Sequence, residues 1–96
     1  MKSPASFRFR LYITGDAPNS VQALANLQAL CQEHLADRHE LEIVDVLREP
    51  KRALADRILL TPMLVKLDPA PPCKILGTLS RTQTVLQALG LPGQTK

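Results

Sequence analysis

Ninety-six residues with 45% apolar and 22% charged side chains fit one globular domain (1–96), which argues against disorder apart from the ends. The net charge is +3, split as −2 over residues 1–50 and +5 over residues 51–96, so the second half carries the surface that would steer towards an acidic partner. No apolar run approaches the roughly 20 residues of a membrane helix, and Arg8 and Arg10 interrupt any signal-peptide core, so the sequence predicts a cytoplasmic protein with no membrane contact.

After residues 1–6, expected to be flexible, Phe7-Arg8-Phe9-Arg10-Leu11-Tyr12-Ile13 alternates as a strand with Phe7, Phe9, Leu11 and Ile13 on one face. Gly15 to Ser20 is a turn with helix-start signals: Asn19 with Gln22 as a cap pair, or Asp16 with Pro18 starting earlier. From Ser20 to Leu35 the period is helical. Leu24, Leu27, Cys31 and Leu35 form the stripe, and Val21 and Leu30 flank it. Residues 40–46 read as a second strand, parallel to the first across a right-handed crossover. Pro50 opens a helix to about Leu59, with Leu54 and Ile58 as its apolar members and Ala53 and Ala55 filling in. Thr61-Pro62 ends it.

Residues 63–67 and 73–77 form a hairpin around the proline-rich turn 68–72. Ser80 and Gln83 give a capping-box signal for a last helix, Val85, Leu86 and Leu89 its stripe, and Gly90 its C-cap, with 92–96 expected to be flexible. The order β-α-β-α-β-β-α is the thioredoxin-like α/β arrangement: a mixed four-stranded sheet with helices on both faces.

Such folds carry redox cysteines where the first strand turns into the first helix. Here that turn holds Ala17-Pro18-Asn19-Ser20, so a methyl group and a hydroxyl stand where sulfurs would, and without a thiolate disulfide exchange has no nucleophile. Cys31 reads as a small core hydrophobe. Cys73, His34 and His39 lack any metal-site spacing, so neither a metal nor another cofactor is implied. Asp16 and Asp45 stand near the strand ends as turn formers. Aromatic residues at 3% argue against a base-stacking nucleic-acid binder. No catalytic constellation is present, and a binding module is the class the residues favour over a reductase or a nucleic-acid binder.

Leu11-Tyr12-Ile13-Thr14-Gly15 leads into Pro18-Asn19-Ser20-Val21-x-Ala23-Leu24. Ile43-Val44-Asp45-Val46-Leu47-x-x-Pro50, Ile58-Leu59-x-Thr61-Pro62 and Ile75-x-Gly77-x-Leu79-Ser80 follow in order. Together, from about Phe7 to Leu91, these blocks resemble the KaiB family of bacterial clock proteins. The resemblance implies a non-catalytic regulator that binds the N-terminal ATPase ring of KaiC, brings KaiC into its dephosphorylating phase, and has KaiA or a sensor kinase as a further partner. An adaptor in stress or sensory signalling is the alternative. It also implies two folds: a tetrameric ground state, β-α-β-β-α-α-β, and a monomeric thioredoxin-like state that binds KaiC, with roughly residues 50 to 91 rearranging between them.

Where the family commonly has Gly and, two residues later, Asp, this chain has Ala88 and Gly90. Ala favours helix over Gly by about 1 kcal/mol, and Gly90 suits a left-handed cap. The chain also ends at Lys96 without the acidic tail of many members. The expectation is a largely monomeric, thioredoxin-like protein. Carried over from the family, Pro62 is expected to be cis, and Arg10, Arg57, Lys66 and Lys74 are expected to contact the partner. Cys73 and Glu42 stand where the family has basic residues; Glu42 lies on the second strand, which the family uses towards KaiA, and this weakens the case for KaiA.

Overall fold

Seven alternating residues form the first strand, β1 (Phe7–Ile13), in a computed structural model that describes residues 7–91. The termini expected to be flexible lie outside the described residues. Phe7, Phe9 and Leu11 are buried on one face of β1, while Arg8 and Arg10 lie on the other beside a fully buried Tyr12. The remaining elements are α1 (Pro18–His34), β2 (His39–Asp45), α2 (Pro50–Ala55), β3 (Met63–Asp68), β4 (Cys73–Leu76) and α3 (Thr82–Leu89). The strand order is β2-β1-β3-β4, with β1 parallel to β2 and antiparallel to β3, and β3 antiparallel to β4. This is the thioredoxin-like arrangement that the sequence pattern predicts.

Two cores flank the sheet. The larger joins Phe9, Leu11 and Leu64 to Leu27, Leu30 and Cys31 of α1 and to Val85, Leu86 and Leu89 of α3. The smaller joins Tyr12, Val44 and Val65 to Ala53 and Ile58, under α2. Helices therefore cover both faces.

Several local expectations are corrected. Ala23 belongs to the buried stripe of α1, Leu24 packs only partly against the core, and Val21 is exposed. α2 stops at Ala55 rather than near Leu59, and both Leu54 within it and Leu59 beyond it are exposed. The stop is a Schellman turn: Arg57 takes φ +58°, its N–H donates to the Leu54 carbonyl at 3.0 Å, and the Ile58 N–H reaches the Ala53 carbonyl at 2.8 Å. Ile58 and Ala53 meet in the smaller core, which supplies the apolar contact such a turn favours. At α3 the N-cap position falls on Arg81, without a side-chain cap bond, and Ser80 Oγ accepts from Thr78 Oγ1 instead. Thr61-Pro62 is cis as expected; Asp68-Pro69 and Ala70-Pro71 are cis as well.

Gly90 ends α3 as expected, at φ +80°, with open space where a Cβ would stand. Gly90→Ala should then cost only backbone energy, about 1 kcal/mol, and Ala88→Gly on the exposed helix surface should cost a similar amount, about 1 kcal/mol. Urea midpoints check both. No shift in either variant would remove the helix end as a contributor to this state.

Candidate functional site

The turn from β1 into α1 is built by side chains that hold backbone. Ala17 takes the N-cap position of α1 with no side-chain cap bond, and Pro18 starts the helix, so the expected Asn19–Gln22 cap is not formed. Ser20 lies inside the first turn, buried, and its Oγ accepts the Thr14 N–H at 3.0 Å. Asp45 Oδ1 accepts the N–H groups of Gly15 at 3.1 Å and Leu47 at 2.9 Å, the turn-forming role expected of it. The hydroxyls of Thr14 and Thr61 hydrogen-bond across the same end of the sheet. With Ala17 and Ser20 at the two dithiol positions, this turn offers no thiolate. Cys31 is buried in the larger core, and burial pushes its thiol up to about 11. Among the described residues no group of three or more His, Cys, Asp or Glu could hold a metal.

The opposite face of the sheet carries a charged clasp. Arg8 and Arg10 alternate on β1 and stand in register with Glu40 and Glu42 of β2. Arg10 Nε bonds Glu42 Oε1 at 2.9 Å and its Nη1 bonds Asp56 Oδ2 at 2.9 Å. The Tyr12 hydroxyl donates to the same Asp56 oxygen in a short hydrogen bond and also lies 3.3 Å from the Arg52 carbonyl. Arg52 Nη1 reaches Glu42 Oε2 at 2.7 Å and Glu49 Oε1 at 3.3 Å. From β4, Lys74 Nζ donates to the Asp56 carbonyl at 2.6 Å. The clasp thus ties β1, β2 and β4 to the short helix α2.

Its electrostatics follow from these partners. Hydrogen bonds from Arg52 and then Arg10 hold the Glu42 carboxyl down to about 2. Asp56 is lowered by the Tyr12 hydroxyl first and Arg10 second, against a desolvation cost. Burial opposes the charge on Arg10, but its bonds to Glu42 and Asp56 outweigh that and raise it. Arg52 is raised chiefly by Glu42. Tyr12 is raised by burial and then by Asp56.

Of the residues expected to meet a partner, Arg10 and Lys74 bond Asp56, and Arg57 follows it in the chain. The Arg57 side chain is exposed and makes no hydrogen bond or ion pair among the described residues. Lys66 is not with them. It lies on the other face, 5% exposed, with Nζ 3.4 Å from the Leu89 carbonyl. Glu42 sits on the edge strand β2, where the sequence places it. Tyr12, Arg52 and Asp56 were not singled out by sequence. The available signal was the matched runs Arg8-x-Arg10 and Glu40-x-Glu42 on adjacent parallel strands, which require an organised charge face.

A thioredoxin-like sheet, with Ala17 and Ser20 at the two dithiol positions of its first turn and a basic cluster at the end of its second helix, defines a thioredoxin-fold protein without the dithiol of that turn. The KaiB domain family matches residues 10–91, and the chain belongs to the KaiB family. It is similar to the circadian clock protein KaiB3 of Synechocystis, 46% identical over 85% of this chain and 80% of that protein. Among solved structures, a chloroplastic thioredoxin z matches with a TM-score of 0.74 at 18% identity, over 88% of this chain and 76% of that one. The N-terminal domain of Synechococcus elongatus SasA matches with a TM-score of 0.65 at 20% identity, over 100% of this chain and 94% of that one. At these identities the two structures speak to fold alone. No helix among the described residues is long and apolar enough to cross a membrane.

Proposed function

We propose that this chain is a non-catalytic clock regulator of the KaiB type, acting in the cytoplasm. In the thioredoxin-like state it binds the N-terminal ATPase ring of a KaiC-type protein and promotes the dephosphorylating phase. The observation that carries this reading is the family match over residues 10–91 in a chain whose second half holds β3, β4 and α3 in thioredoxin-like order. The contact surface is the basic cluster around Asp56, with Arg57 and Lys74 outermost and Arg10 beneath them. The protein is mostly monomeric in this state and a tetramer only in the alternative ground-state fold.

Titrating the labelled protein with the KaiC N-terminal ring tests this. Immediate broadening of backbone NMR signals, with residues 82–89 helical before addition, is the expected result. Extended residues 82–89 with broadening over hours would mean that the thioredoxin-like state is rare in this chain. Absence of binding at any time would remove the reading.

A second reading is favoured by Glu42. On the β2 edge its carboxylate is occupied by Arg10 and Arg52, where the family resemblance places a lysine facing KaiA. An adaptor that serves a sensor kinase or a stress pathway, without KaiA, fits that substitution.

A further inference from the structure

The last four carbonyls of a helix have no partner inside it. In α3 all four are met, by two routes. The chain's own turn supplies two donors: the Leu91 N–H reaches the Leu86 carbonyl at 2.9 Å, and the Gly90 N–H the Gln87 carbonyl at 3.1 Å. The β3–β4 hairpin supplies the others. Cys73 Sγ lies 3.6 Å from the Ala88 carbonyl and Lys66 Nζ lies 3.4 Å from the Leu89 carbonyl. Lys66 and Cys73 are direct cross-strand partners.

The last turn of α3 has no basic residue of its own, so Lys66 brings the cation that the negative end of a helix attracts. Lys66 is 5% exposed and enters no ion pair among the described residues. A side chain so placed has little surface to offer a partner, but it has a defined acceptor at the end of α3.

We propose that Lys66, with Cys73 opposite it, is a cap built by the hairpin for α3, and that Lys66 is a positioning residue for partner binding. It holds residues 82–89 helical and influences binding through that helix rather than by touching the partner. The binding half of this statement rests on the KaiC-type reading above; the capping half stands apart from it.

Amide hydrogen exchange on the full chain tests the cap. Lys66→Met keeps the buried stem and removes the cation and its donors. Protection of the Val85–Leu91 amides should fall by about tenfold or more, while α1 is little changed, in line with a lost charge-assisted bond. Protection in α3 held within about twofold would overturn the proposal. If Lys66→Met unfolds the whole chain, Cys73→Val is read the same way: loss confined to α3 supports the cap and no loss overturns it.

Binding to the KaiC ring is then measured over a range of salt. Weakened binding with an unchanged salt dependence supports positioning. An intact α3 with a shallower salt dependence identifies a direct contact and overturns it. Should the parent protein fail to bind the ring, the functional reading falls, and hydrogen exchange still decides the cap.

Discussion

Replacing Leu86 by alanine is expected to cost about 2–5 kcal/mol. Leu86 is fully buried in the larger core, which α3 shares with α1 and β1, so its removal leaves a cavity there. A domain of this size has about 5–15 kcal/mol in total, so the variant keeps only part of its stability and α3 loses one of its three buried side chains. Urea unfolding read by circular dichroism gives the loss directly. Leu54→Ala is the control: Leu54 is 72% exposed on α2, and a surface change of this kind should stay within about 0.5 kcal/mol. Equal effects at the two positions would contradict the placement of the larger core.

The second large effect is expected at Asp56. Its carboxylate takes hydrogen bonds from Arg10 and the buried Tyr12 hydroxyl, and its carbonyl takes one from Lys74. Asp56→Ala removes the two side-chain bonds and leaves Tyr12 only the Arg52 carbonyl, at a cost of about 2 kcal/mol. The pH dependence has a definite sign. Asp56 and Glu42 both titrate below their unfolded values in the folded chain. Their contribution is complete above the unfolded carboxylate range, about pH 4–4.5. It is lost as pH falls through the folded values, that of Glu42 being about 2. The melting temperature should therefore fall steadily below about pH 4.5, and Asp56→Ala should flatten that fall. Parallel melting curves for the two proteins across this window would exclude a role for the clasp.

Much of the fold was legible because its signals are periodic. The alternation Phe7, Phe9, Leu11 forces one face of β1 inward, and the order of strand-like and helix-like stretches leaves few topologies once the right-handed crossover is required. Helix ends were less legible. Asn19 with Gln22 looked like a cap pair, yet α1 begins one residue earlier at Pro18, and the oxygen of Ser20 holds the Thr14 amide. Arg57 carries no signal for a left-handed turn, and the hydrogen bonds of that turn, with the meeting of Ile58 and Ala53 in the smaller core, end α2.

The site was legible as residue types rather than as geometry. Arg10 and Lys74 meet at Asp56, with Arg57 next to it in the chain, as a basic set would, but the face that Lys66 occupies depends on which strands neighbour β3. The matched arginines and glutamates of β1 and β2 were visible only once the parallel register placed them side by side.

The strand order has a consequence for how the molecule comes apart. β2 and β1 pair on one side of the sheet and β3 and β4 on the other; one ladder, from Arg8–Tyr12 to Met63–Asp68, joins them, backed by the larger core that α3 shares with α1 and β1 and by the Asn26 side chain, which donates to the Thr78 carbonyl at 2.8 Å. Opening the ladder leaves every β1–β2 hydrogen bond in place but does not free α3 from that core. Separating the two halves of the sheet therefore costs that ladder and the core contacts of α3 together, so the two are expected to be lost in one cooperative step.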